Sequence, residues 1–428
     1  MICSSSSPPI RRRPGEGRGP RGFTLVELVA VVLILAFLIA LLLPALNLAL
    51  KNAKNAAVGG EINQLAQALA SFKAQYGDYP PSRIYLAENG DFGSAPPTAI
   101  APGDITYAQL AQRSVSALRK LFPRVVLNTS GGPVFTGPPY TRWYDFNGNG
   151  VMDGPYILQG HECLVFFLGG IPTPNPPASL QVPNVAPLNP LAVPTSFAMS
   201  GFGKDPTNPF SNNIFSDPRL PLGNGQYSPN PMYSGNRQSP LFEFANNRLA
   251  LDPNGLSGIP GYVDSLGNPA PPQPLLVGAG QLTPQVPAQN NFYVYFSAYG
   301  NGGYDPNDAN FVEYDASGAG PTPLGIELGF LVNFPVTGGC VSPAPNPYTS
   351  TTTVSSTGLA KFLNGQSFQI ISSGIDGQYG VGGQYTPDAT GETLPLDTSV
   401  PDPYNTSDTT IRVRERDNVT NFHNGKLE

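Results

Sequence analysis

An unbroken apolar run, Leu28 to Leu43, constrains this chain more than any other stretch. Pro44-Ala45-Leu46 extends it without adding charge. A helix needs ~20 apolar residues to cross the hydrocarbon core of a bilayer, and this segment is just long enough. The first 22 residues hold five arginines and one acid. Under the positive-inside rule they stay cytoplasmic and the body lies on the far side of the membrane. A cleaved secretory signal has an apolar region of ~7–15 residues followed by a small-residue cleavage site. Here the run is longer and no such site follows promptly. A plain anchor fits the length but leaves Glu27 unexplained, because an ionisable group in a membrane helix is costly and marks function by default.

The string Gly22-Phe23-Thr24-Leu25-Val26-Glu27 accounts for both features. It resembles the processing site of type IV pilins and type II secretion pseudopilins. The resemblance implies that a prepilin peptidase cuts between Gly22 and Phe23. The new N-terminal Phe23 would then be methylated and would open an assembly helix containing Thr24, Glu27 and Pro44. Many family members carry a helix-bending proline where Pro44 stands. In a filament of such helices the Glu27 carboxylate would meet the Phe23 amine of a neighbour. Water is scarce there, which strengthens the attraction, and an unpaired partner would be penalised, which favours one register.

The implied map is a removed basic leader (1–22), a transmembrane and assembly helix (23–50), its amphipathic continuation (51–80) and a globular pilin-like domain (81–428). Ile62, Leu65, Leu69, Phe72 and Tyr76 recur at helical steps and form one apolar stripe. Gly77 then reads as a C-cap, and Pro80-Pro81 forbid continuation. "FKAQYGDYPPS" also resembles the end of the pseudopilin long helix. A second helix is expected from Ile105 to Phe122, with Thr106 and Gln109 as a capping box and Pro123 as the stop. "HECLVFFLGG" (161–170) is a buried strand or a glycine-capped helix; its periodicity is compatible with either.

The chain has 48 glycines and 49 prolines without a collagen period, which predicts many loops. They crowd into residues 171–290, read as a loop-rich insertion with short strands such as Leu241–Phe244. Further strands are expected in 291–299, 326–334 and 367–374. The expected fold is α+β: a long N-terminal helix packed on a mainly antiparallel sheet with large loops.

After the leader the net charge is −10, from 18 basic and 28 acidic residues. No nucleic-acid partner is expected of such a body, because phosphate contacts need clustered Lys and Arg. Acidic loops do suit calcium. "YDFNGNGVMDGPY" sets Asp145, Asn147, Asn149 and Asp153 at alternating ligand positions, with Gly150 at the turn. Tyr156 stands where a bidentate glutamate is expected, and an Asx-rich turn explains the same residues. "IISSGIDGQYG" followed by "RERDNVTNF" resembles the calcium loop of major pseudopilins. That resemblance implies Asp376, Asp417 and Ser373 as ligands. The intervening stretch is longer here than in those proteins.

An exported body permits a Cys163–Cys340 disulfide; two separate buried thiols fit as well. No HExxH, P-loop, GxSxG or CxxC motif occurs, so no enzymatic activity is expected. His161 and His423 are isolated, and His423 reads as a surface residue of the tail. The expected role is that of a structural subunit of a type II secretion pseudopilus or type IV pilus. It would sit in the bacterial inner membrane with a periplasmic body. Its partners would be homologous pilin-like subunits, the prepilin peptidase and an inner-membrane assembly platform. The alternative is a minor or tip subunit that uses the 171–290 insertion as a binding module.

Overall fold

A computed structural model describes residues 24–100, 105–135, 143–150, 152, 154–175, 196–211, 216–223, 226–229, 234–251, 257–265, 292–298, 304–305, 308, 312–314, 321–323, 331–332, 342–343, 347–348, 350, 362–375, 379, 385, 415–423 and 426–427. The chain divides into two compact units, Met1–Asn52 and Ala53–Glu428.

One helix, α1 (Leu25–Tyr76), runs 52 residues and carries Pro44 inside it. Proline has no N–H to give the Ala40 carbonyl and crowds that turn. The flanking run of Leu, Ala, Ile and Val continues the ladder on either side. In the first unit every large apolar side chain described from Leu25 to Leu50 is exposed, by 49–79%. Among the described residues this is the one helix long and apolar enough to cross a membrane.

In the second unit the helix changes character. Val58, Ile62, Leu65, Leu69 and Phe72 are buried, while Asn63, Gln64, Gln67 and Ser71 face outward. Each such apolar side chain contributes roughly 1.5–3 kcal/mol on burial. The stripe read from sequence is therefore the core face of α1. Tyr76, at its end, is half-buried and packs on Phe72 and Phe122. Gly77 follows with φ 84° and donates to the Lys73 carbonyl, closing the helix as an αL cap.

The remaining elements follow in chain order. They are β1 (Ile84–Leu86), α2 (Tyr107–Leu121), β2 (Tyr156–Leu158), α3 (Gly160–Gly169), β3 (Pro172–Asn175), β4 (Ser196–Met199), β5 (Ser216–Gly223), β6 (Gln226–Pro229), β7 (Leu249–Ala250), β8 (Gly261–Tyr262), β9 (Val294–Ser297), β10 (Val312–Tyr314), β11 (Pro321–Pro323), β12 (Leu331–Val332), β13 (Ser342–Pro343), β14 (Phe368–Ser372) and β15 (Val419–Thr420). Helix α2 starts on the expected box: the Thr106 hydroxyl accepts from Gln109 N–H, and the Gln109 side chain accepts from Thr106 N–H.

The stretch 161–170 is a helix. Glu162 accepts from Gln159 N–H at 2.9 Å, and Gly170 takes the C-cap with φ 85°. These local caps decide what periodicity left open. All ten residues of α3 are buried. The expected α+β architecture is present: the long N-terminal helix is joined by small antiparallel sheets among the described residues. The largest is three-stranded, in the order β15–β14–β9.

Residues Leu241–Phe244 are not a strand. Leu241 N–H donates to the Leu168 carbonyl at the C-terminal end of α3, and Phe242 and Phe244 pack on each other and on Tyr262. Capping a helix end and filling an aromatic cluster replace ladder pairing there. The strands expected in 291–299 and 367–374 form as β9 and β14, and β12 is the described part of 326–334. Half of the 171–290 segment lies outside the described residues. Other parts of it reach the core, where Phe197, Phe202, Phe210, Phe244, Ile259 and Tyr262 are buried.

Candidate functional site

The N-terminal site is built by the first turn of α1. Thr24 N–H and Oγ1 both donate to Glu27 Oε2, at 2.9 and 2.8 Å, and Glu27 N–H donates back to Thr24 Oγ1 at 3.3 Å. This is a reciprocal capping box, so the acid that is costly in a membrane helix also starts that helix. The carboxylate stands at the positive end of the helix dipole, where an anion is favoured. Gly22 and Phe23 lie outside the described residues.

Residues 17–43 match the model of the prokaryotic N-terminal methylation motif. The chain carries a prepilin-type signal of the type IV pilin and pseudopilin kind. The signal spans Gly22 and Phe23, the Thr24–Glu27 box and the exposed apolar helix up to Leu43. No curated protein and no solved structure matches the chain.

The two cation-loop candidates have different geometries. In the first, Asp145 is fully buried and its Oδ2 accepts from Gly150 N–H at 2.9 Å. Asn147 Oδ1 accepts from Asn149 N–H at 3.1 Å, and its amide donates to Tyr156 Oη at 3.1 Å. The tyrosine at the would-be glutamate position thus engages a candidate ligand. Glu88, buried beside this loop, accepts from Phe146 N–H at 3.1 Å. These contacts are those of an Asx-rich turn. Asp153 lies outside the described residues.

In the second candidate, folding brings together residues far apart in sequence. Asp417 Oδ2 accepts from Ile375 N–H at 2.7 Å. Gly374 has φ 69°, and a Cβ there would come within 2.2 Å of the Asp417 carbonyl oxygen. Ser373 is fully buried in the same turn. Asp264, also buried, accepts from the neighbouring Ser372 hydroxyl at 2.6 Å. Ser373 and Asp417 therefore come from two segments that meet, as a shared oxygen site requires. Asp376 lies outside the described residues. Among the described residues no group of three or more His, Cys, Asp or Glu could hold a metal ion.

Cys163 is a free, buried cysteine in the structure. It lies on fully buried α3 and donates to the Leu158 carbonyl at 3.7 Å. Burial, followed by the charges of Glu162 and Asp308, pushes the thiol well above its ordinary pKa. Cys340 lies outside the described residues. The neighbours of Cys163 go separate ways: His161 stacks on Phe292, with ring centroids 4.8 Å apart, and Glu162 accepts from the Ser257 hydroxyl at 2.5 Å. His423 is partly buried, with a 2.7 Å hydrogen bond between its Nδ1 and Tyr385 Oη, so it is packed rather than a loose surface residue.

Two charged clusters escape sequence reasoning. Glu61 on α1 receives Arg248 in a bidentate pair at 2.6 and 2.7 Å, with Tyr262 Oη at 2.9 Å and Tyr293 Oη at 2.5 Å. Burial opposes the Glu61 charge, but the hydrogen bonds from Arg248, Tyr293 and Tyr262 outweigh it. They hold the carboxyl below its ordinary pKa. In the second cluster Arg83 and Arg113 face Asp305 and Asp308 at 2.9–3.5 Å, and the Ser82 hydroxyl donates to Asp308 at 2.5 Å. It ties part of the glycine- and aspartate-rich 300–310 loop to β1 and α2. A faint signal for the first cluster exists: Glu61 lies beside Val58, Ile62 and Leu65 on the apolar face.

Proposed function

We propose that this chain is a structural subunit of a type II secretion pseudopilus or a type IV pilus. Prepilin peptidase cleaves it between Gly22 and Phe23, and it polymerises through the helix that Phe23 then opens. The observation carrying this reading is a prepilin-type signal on a helix whose first half exposes its apolar side chains. Such a helix needs lipid before assembly and protein after it. The body is periplasmic, the anchor lies in the inner membrane, and the partners are similar subunits and an assembly platform. The role is structural rather than enzymatic.

In the filament the Glu27 carboxylate pairs with the Phe23 amine of a neighbour. Its place in the Thr24 capping box orients it at the helix start. Glu27→Ala is expected to be cleaved and inserted like the wild type. Its yield in the sheared-filament fraction should fall by about ten-fold or more. Wild-type filament yield from the variant contradicts the proposal.

The meeting of Asp417 with the 373–375 turn supports a calcium ion bound near Ser373, Asp376 and Asp417. Oxygen donors from two segments would be tied together by a hard cation.

A further inference from the structure

Gly59 and Gly60 sit side by side inside α1, one residue after Val58, the first described side chain of the helix to be buried. Two adjacent glycines are the least favourable choice for a helix interior apart from proline. Packing does not require them. A Cβ on Gly59 would meet only Val419 Cγ1, at 4.0 Å, an ordinary contact; a Cβ on Gly60 would meet nothing within 4 Å. Neither glycine has a positive φ. Alanine fits both positions, yet the helix is weakened here.

The next residue is firmly held. Glu61 is held by four hydrogen bonds from Arg248, Tyr262 and Tyr293. Before the pair, Ala56 and Ala57 are exposed. The weak point therefore lies between an unpacked stretch of helix and a clamp on the body.

We infer that Gly59-Gly60 is a hinge in α1, a site where the backbone ladder opens locally while Glu61 holds the packed half in register. Removing a Cβ at two successive positions widens the accessible backbone conformations. The clamp confines that freedom to the exit turn. A subunit leaving a bilayer for a protein lattice must change the surroundings of its exposed helix. A hinge at this turn lets that happen without unfolding the core. The hinge itself does not depend on the filament reading.

The test is amide hydrogen exchange, read by mass spectrometry, on the full chain in detergent micelles. Each glycine should lower local helix stability roughly five-fold, so the pair should do so about 30-fold. Amides of residues 59–64 should exchange faster than those of 66–72 in the wild type and slow by about 30-fold in Gly59→Ala/Gly60→Ala. The melting temperature should hold or rise. If the double variant folds poorly, Gly60→Ala alone, in open space, should slow exchange about five-fold. Equal exchange in wild type and variants overturns the hinge. Unchanged exchange with loss of filament yield also overturns it and assigns the glycines to contact with a second copy.

Discussion

Glu27 and Glu61 are two acids on one helix with opposite settings. Glu27 lies at an exposed helix start and is satisfied by Thr24 alone among the described contacts. Glu61 is 14% exposed and paired with a guanidinium that is 19% exposed. The Glu61 carboxyl titrates below its ordinary value in the folded state. Its contribution to stability is therefore complete above the unfolded carboxylate pKa of about 4.3 and is lost as pH falls through the lowered folded value. Thermal melts in detergent should show the body losing stability below about pH 4.5, and Glu61→Gln should flatten that slope. Arg248→Ala, which leaves a buried carboxylate unpaired, should cost about 3 kcal/mol at neutral pH. A melting temperature unmoved by either change would remove the clamp from the account.

At the scale of elements, α1 combines two solvents in one helix. Its first half is apolar all round and its second half is striped, and the stripe packs in the body. Leu69→Ala, deep in that stripe, should destabilise the body by about 2–5 kcal/mol in denaturant melts. Leu35→Ala, exposed in the first unit, should leave the same melt unchanged. The long helix and α2 were legible from sequence because apolar spacing and capping boxes are local signals. The identity of α3 was not, because a helix buried on all sides has no amphipathic period. Leu241–Phe244 misleads for a related reason: its aromatics mark burial, and what they pack against is remote in sequence. The Glu61 and Arg83 clusters join residues about two hundred positions apart, which no short-range pattern encodes.

The whole molecule follows from the contrast between its ends. The prepilin-type signal was legible because six residues and an apolar run carry the chemistry of cleavage. The two candidate cation loops were only half legible. Sequence named Ser373 and Asp417, and folding brings their segments together, but Asp145 and Asn147 use side-chain oxygens to accept backbone N–H groups of their own turn. Calcium at a few millimolar is expected to raise the melting temperature of the wild type by several degrees, as ligand binding to the native state does. Asp417→Asn should abolish the rise and Asp145→Asn should not. A shift that survives Asp417→Asn would place any cation elsewhere.

The central claim is that the mature protein begins at Phe23. Mass spectrometry of the native protein extracted from membranes tests it directly. The account predicts an N-terminal peptide starting at N-methylated Phe23, with residues 1–22 absent. An intact Met1 start, or a terminus created beyond the apolar helix, would contradict it.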